Sequence, residues 1–428
     1  MRIIADLHMH SRYSRATSER MCVEEINRFA RIKGLGIVGT GDFTHPKWLK
    51  ELSEKLVVEP DTFLYRPASE ANSTVRFMVT TEVSTIFDFR NEVKKVHHVI
   101  LTPSLETALQ IKDRLSKYGN LVSDGRPTLN VNAAHLVEEV MEVSDKNMVF
   151  PAHAWTPWFS IFGAFSGFDS VEECYEDMTK HIHALETGLS SDPPMNWRLS
   201  KLDKFALVSN SDSHSFWPWR IGREANVFEL SRPSYCEVLD AIRSKDRKRF
   251  KFTIETDPAY GKYHWTGHRN CNVSLSPREA VKLGNVCPVC RRQLTKGVEQ
   301  RVEELADRSE GFEPEEAVGF MHLLPLSEII ATVLGIDSPY AAKVWDVYNP
   351  LVERFGDEYS VLIDSSKDKL ASVVDEQVAE AIIRVREGKA KVVPGYDGVY
   401  GQLILSEQVS AKNLPKRVQQ LNLTDFTF

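Results

Sequence analysis

His8 and His10, in the opening stretch "DLHMH", stand two residues apart at the end of the short apolar run Arg2–Ala5. Side chains at i and i+2 of an extended chain project to the same side, so the pair can aim two imidazoles at one cation. Two hydrogen-bonded histidines at a strand end explain the same motif equally well. Other short apolar runs carry ligand-type residues in the same way: Asp42 in "LGIVGTGDF", Glu82 in "VRFMVTTEVS", His97 and His98 in "VHHVILT", His153 in "MVFPAHAW", Glu186 in "HIHALETG", and Asp212 with His214 in "FALVSNSDSHS". Imidazoles and carboxylates repeated at strand after strand would crowd and repel if they met, unless cations neutralised them. The pattern points to a multi-metal site.

The elements that must bring these residues together alternate along the chain. Helix-like segments span Cys22–Lys33, Leu105–Tyr118, Leu136–Val143, Val171–His181 and Pro233–Ser244, between the apolar runs. Strands alternating with helices imply parallel pairing, with all C-terminal strand ends on one side. Seven such strands closing as a barrel would gather the ligands at one mouth, the face where barrel enzymes keep their chemistry. Ions held about 4 Å apart at such a mouth can activate a bound water and neutralise developing charge. A mixed His/Asp/Glu set suits zinc, manganese or magnesium.

Loops near these strands carry further candidates. "SSDPPMNWR" offers Asp192 for proton transfer and Asn196 and Arg198 for holding a phosphate, although Asp-Pro-Pro is also an ordinary loop signal. "SFWPWRIGR" sets Arg220 and Arg223 beside Trp217 and Trp219, combining phosphate pairing with stacking faces. "AWTPWFSIFGAFSGF", after His153, reads as a lid over the mouth that either packs on itself or wedges a nucleotide out of its stack.

His268-x2-Cys271 and Cys287-x2-Cys290, fifteen residues apart, form two chelating pairs suited to one closed, structural zinc site. His264 competes with His268 for the fourth position. Arg269, Arg278, Lys282, Arg291, Arg292 and Lys296 surround this site and favour grip on a phosphate backbone, with a protein contact as the alternative.

The 428 residues allow two or three domains, and 42% apolar with 26% charged residues is a globular composition. The net charge of −7 hides an asymmetry: Lys262–Arg301 holds eight Lys/Arg against two Asp/Glu, and Val302–Leu370 five against fifteen. The absence of a long apolar span or a basic-then-apolar leader predicts a cytoplasmic chain with no membrane association. Six cysteines are too few for a disulfide scaffold. The organisation expected is a catalytic barrel over 1–252, a basic zinc module over 253–300, a mainly helical domain over 301–410 and a tail over 411–428.

The order His-x-His, Asp, Glu, His, His, Asp-x-His resembles the polymerase-and-histidinol-phosphatase (PHP) phosphoesterases. That resemblance implies a distorted (β/α)7 barrel holding up to three divalent ions (Zn, Mn or Mg), with His8, His10, Asp42, Glu82, His98, His153, Asp212 and His214 as ligands. Many PHP members have Asp-His at the second motif; here Phe43 follows Asp42, and His45 is a substitute. "DLHMHSRYSRATS", "GTGDFTHP", "ALETGLSSDPPMNWR" and "NSDSHS", with the zinc segment, resemble the archaeal endonuclease Q family over nearly the whole length. This closer likeness implies cutting of DNA 5′ to deaminated or abasic nucleotides; the residues expected in the chemistry are Asp192, Asp212 and His214, and the location expected is cytoplasmic and nucleoid-associated. The final "QLNLTDFTF" resembles the peptide by which repair enzymes bind a sliding clamp (PCNA-like), through Gln420, Leu423, Phe426 and Phe428. A small-molecule phosphatase on the same barrel and a non-catalytic DNA-binding or clamp-associated factor are the rival readings.

Overall fold

The computed structural model describes residues 1–404. Strand β1 (Arg2–Asp6) buries Ile3, Ile4 and Ala5 and pairs in parallel with β2 (Ile37–Gly39), which pairs in parallel with β3 (Arg76–Phe89). The chain then turns back. β4 (Glu92–Thr102) is antiparallel both to β3 and to β5 (Met148–Pro151). β6 (Ala184–Glu186) and β7 (Ala206–Val208) form a separate parallel pair. A bridge between Val149 and Ile182 ties β5 to the approach to β6, and one between Met9 and Ser213 ties the segments following β1 and β7. Seven strands thus stand in a ring whose last joins are isolated bridges, and no continuous ladder closes it among the described residues.

One feature departs from the all-parallel barrel expected from the sequence. Only Arg90 and Asn91 separate β3 from β4, with φ of +51° and +67°. Two residues at positive φ make the tight turn that right-twisted hairpins favour, and so short a connection forces antiparallel pairing.

Helices occupy the connections much as their spacing predicts: Val23–Lys33, Leu105–Leu115, Ala133–Met141, Val171–Tyr175 and Tyr235–Ser244. Ser104, Asn132 and Ser170 each accept a backbone N–H two or three positions into the helix that follows, satisfying donors the helix cannot. The first helix ends at Gly34, whose φ of +97° suits a residue without Cβ. It buries Ile26, Phe29 and Ala30 against the sheet, and each large apolar side chain removed from water contributes about 1.5–3 kcal/mol.

The sheet extends past β1 through β8 (Ala225–Glu229), β9 (Phe250–Glu255) and β10 (Gly319–His322). The zinc segment is a hairpin, Thr266–His268 with Val273–Leu275, followed by a short helix, Pro277–Lys282, over a small core of Val273, Leu275, Ala280, Cys287 and Leu294. The helix Val298–Leu305 crosses the boundary expected at residue 300, and β10, expected in the helical domain, pairs with β9 in the main sheet. Beyond it lie helices Leu326–Leu334, Ala342–Phe355, Lys367–Ala371 and Glu376–Arg386. A buried ion pair between Lys33 and Glu358, 2.7 Å apart, joins them to the barrel. Among the described residues no helix is long and apolar enough to cross a membrane.

Candidate metal centre and nucleic-acid interface

Two groups of ligand atoms meet inside the ring, each within 4.8 Å: His8, His10, Glu82 and Asp212, and then Glu82, His97 and His153. Glu82 belongs to both. Its Oε2 lies 3.1 Å from His10 Nε2 and 3.4 Å from His8 Nε2, while Oε1 lies 2.8 Å from His97 Nδ1 and 3.1 Å from His153 Nε2. Each carboxylate oxygen therefore faces one group, the arrangement of a bridging ligand.

The donor set fits divalent cations. His8 Nε2 is buried and has no hydrogen-bond partner among protein atoms. The other ring nitrogens of three of these histidines are held from behind: His8 Nδ1 by Glu186 at 3.0 Å, His10 Nδ1 by Asp42 at 2.9 Å and His153 Nδ1 by Thr156 Oγ1 at 3.0 Å. Such partners fix the tautomer and leave the opposite nitrogen free to ligate. Three of the residues also adopt left-handed backbone, with φ of +51° at Asp42, +30° at His153 and +47° at Asp212. Strain of this kind persists where the surroundings over-determine it, as at binding sites.

His97, not His98, enters the centre. In the β3–β4 ladder Ser84 lies opposite His97 and Val83 opposite His98. Directly opposed residues share a face and successive residues alternate, so Glu82, Ser84 and His97 face inward and Val83 and His98 outward. There His98 bonds Tyr175 Oη at 2.8 Å and Thr85 Oγ1 at 2.9 Å, and burial pushes its pKa down to about 3.

Asp42, expected as a ligand, supports His10 instead. Its Oδ2 accepts the Ser11 amide and hydroxyl, and Gly125 packs so closely that a Cβ there would lie 2.4 Å from this oxygen. His214 stands outside the groups of ligand atoms, its ring 4.4 Å from that of His10 and its Nδ1 donating to the Asp212 carbonyl. His45 is also outside, stacked on Tyr13.

Burial opposes protonation of His8, but Glu186, Glu82 and Asp212 outweigh it and raise its pKa well above the usual value. Burial likewise would raise Glu82, yet His97, Arg126 and His8 hold it well below the carboxylate range. Arg126 Nη1 lies 3.1 Å from Glu82 Oε2 and brings a guanidinium charge to the centre. No motif pointed to it, because it comes from the loop before Thr128–Leu129 rather than from a strand end.

His268, Cys271, Cys287 and Cys290 also gather within 4.8 Å, a set of donors suited to zinc. His264 stays apart, 3.5 Å from Glu299. Arg269, Arg278, Lys282, Arg291 and Arg292 are exposed around this site. Several other expected contacts are committed elsewhere. Arg223 is buried against Glu328, Arg198 pairs with Glu303, and Asn196 bonds Trp155, Ser191 and its own helix. Asp192 caps the helix Pro193–Trp197 and binds His322 at 3.0 Å. Arg220 is half-buried beside Tyr400.

A strand ring with imidazoles and carboxylates converging on a shared glutamate defines an α/β protein with a candidate site for divalent cations. The chain superposes on the lesion-specific endonuclease PfuEndoQ from Pyrococcus furiosus with a TM-score of 0.85 and 34% identity, covering 97% of this chain and 98% of that one. A structure of endonuclease Q with a 27-mer duplex bearing an abasic lesion at its active site gives 0.84 and 34%, over 97% and 100% of the two chains. The chain belongs to the endonuclease Q family. The Methanocaldococcus jannaschii protein MJ0043 is 32% identical over 263 residues, 60% of this chain but 32% of that protein, so this chain spans about a third of its relative's length. Bacillus subtilis YqxK is 26% identical over 418 residues, 94% of this chain and 99% of that one. The MJ0043 C-terminal domain profile matches residues 325–389, the helical region.

Proposed function

We propose that this chain is a DNA repair endonuclease that hydrolyses the phosphodiester 5′ to a deaminated base (deoxyuridine, deoxyinosine or deoxyxanthosine) or an abasic site. The observation that carries the reading is the double ligand group on Glu82, in a chain that shares its fold over nearly its full length with an enzyme seen holding an abasic duplex. His8, His10, Glu82 and Asp212 would hold one divalent ion and Glu82, His97 and His153 a second, and the third expected ion has no group of its own among the described residues. Bound there, such ions supply an acidic water and neutralise charge on the phosphate oxygens.

The protein's own groups prepare the site. Asp42 and Glu186 hold His10 and His8 by Nδ1, so the Nε2 atoms stay turned inward. Arg126 offers guanidinium donors, partly open to solvent, to the non-bridging oxygens of an entering phosphate. His214 donates from Nδ1 to the Asp212 carbonyl, which leaves Nε2 as the basic nitrogen able to take or return a proton. Burial lowers its pKa, favouring the neutral ring at pH 7. Asp192 lies outside the ligand groups, capping the helix Pro193–Trp197 and bonded to His322. The exposed arginines of the zinc module grip the flanking backbone.

The clamp-binding peptide Gln420, Leu423, Phe426 and Phe428 lies outside the described residues. We assign it to a sliding clamp on its sequence pattern, with a nucleoid location following from that; Phe426→Ala is expected to weaken clamp binding. The test of function is incubation of duplexes containing uracil, hypoxanthine, an abasic site or no lesion with zinc, manganese or magnesium, followed by mapping of the cut. Cleavage confined to the 5′ side of the lesion is expected. Release of phosphate from a small ester with intact DNA favours the phosphatase reading, and lesion binding without either reaction favours a non-catalytic factor.

A further inference from the structure

The loop after His153 contains six aromatic residues, and the structure divides them. Trp155, Phe162 and Phe168 are buried and Phe159 is half-buried, but Trp158 and Phe165 stand 41% and 48% exposed. These two stack on each other, centroids 5.0 Å apart and planes 14° from parallel. Two large apolar rings held together in water need a reason, since self-packing would have buried them.

The loop that carries them is fixed. Thr156 Oγ1 links His153 Nδ1 at 3.0 Å to the Trp158 carbonyl, also at 3.0 Å, so the stacked pair is tied to a residue of the metal centre. From the other side Arg301, on the helix after the zinc module, donates to the carbonyls of Phe162 and Phe168. Gly167 lets the loop fold back on itself, because a Cβ there would lie 2.4 Å from the Gly163 nitrogen. Tyr263, beside exposed Lys262 at the start of the basic segment, meets Trp158 edge-on with centroids 5.4 Å apart. The aromatic pair therefore sits between the metal centre and the exposed cations of the zinc module. Acidic neighbours on the Phe165 side are already paired: Glu92 with Lys94, Glu173 with Arg90 and Asp169 with Arg301. These pairings offset the acidic charge that would face a phosphate backbone.

We propose that Trp158 and Phe165 form a wedge that enters duplex DNA and stacks against the bases flanking the nucleotide drawn into the metal centre. The inference rests on the damaged-DNA reading above. An enzyme that works on one nucleotide of a duplex must offset lost stacking, and apolar side chains inserted at the opened step do so. A single-stranded substrate needs no such help. The wedge thus separates two substrates that the metal chemistry alone treats alike.

The test compares wild type with the Trp158→Ala/Phe165→Ala double variant on the same abasic oligonucleotide, single-stranded and in duplex, with 2-aminopurine next to the lesion. The duplex-to-single-strand cutting ratio is expected to fall about tenfold or more, the scale of one lost base–aromatic stack. The 2-aminopurine fluorescence rise on duplex binding is expected to shrink with it. Trp158→Tyr, which keeps a stacking face, is expected to restore most of the ratio, and an unchanged melting temperature of the double variant excludes misfolding. An unchanged ratio, or equal loss on both substrates, overturns the wedge while leaving the endonuclease reading standing. Wild type that neither binds nor cuts either substrate overturns both.

Discussion

Replacing His97 and His98 one at a time separates the two faces of β4. His97→Ala removes one of the two histidines around Glu82 Oε1. Removing a residue that merely supports a ligand costs about 10–100-fold in metal affinity, so losing the ligand itself is expected to cost at least as much. His98→Ala leaves the metal group intact but takes the partner from the buried Tyr175 hydroxyl, while Thr85 Oγ1 keeps its bond to the Val96 carbonyl. One buried hydroxyl left unsatisfied costs about 1–3 kcal/mol, and the vacated ring adds a cavity that costs about 2 kcal/mol. A total of about 3–5 kcal/mol follows, a fall of roughly 10 °C in Tm for a domain of this size. Metal content by mass spectrometry, read beside thermal unfolding, distinguishes the variants. His97→Ala is expected to lose close to one ion with a small change in Tm, and His98→Ala to keep its ions and melt early. Loss of metal by the His98 variant with retention by the His97 variant would refute the register that places them.

Arg126→Gln removes the guanidinium beside Glu82, and cutting of an abasic duplex is expected to slow by about 10–100-fold with metal content held. Glu255 is buried with its pKa pushed up to about 8 by burial, so the native state holds its proton more tightly than the unfolded chain does. Its contribution is therefore full below about 4.5 and is lost as pH rises towards 8. Glu255→Gln is expected to melt higher than wild type at pH 8–9 and to lose that advantage as the pH falls towards 4.5, and a pH-independent difference would contradict the assignment. In the zinc module, His268→Ala is expected to release one zinc and open residues 269–297 to protease, whereas His264→Ala keeps the metal; the reverse would make His264 the fourth ligand.

Most of the strand ends were legible because short β-branched runs ending in His, Asp or Glu carry their own signal, and the intervening helices show clear apolar spacing. The choice between His97 and His98 was not. It depends on the Arg90–Asn91 turn, which lacks the Asn-Gly or Asp-Gly pattern that marks such hairpins, and a parallel strand in its place leaves the inward face undetermined. Asp42 and Glu186 were visible as strand-end carboxylates, but whether a carboxylate ligates or orients a histidine depends on which ring nitrogen it meets. Arg223 and Asn196 looked available because arginine and asparagine are usually exposed. Their partners, Glu328 and Trp155, lie 105 and 41 residues away in the chain, beyond any local pattern. Arg126 gave no signal for the complementary reason: a lone arginine in a loop has no periodicity to read.

Hydrolysis by this protein requires cations in the space around Glu82. Anomalous diffraction from crystals grown with manganese, and separately with zinc, measures this directly. Two peaks are expected, one on each oxygen of Glu82, the first among His8, His10 and Asp212 and the second between His97 and His153. Strong peaks at the His268–Cys290 site with none at Glu82 would contradict the metal centre and the phosphoester chemistry built on it.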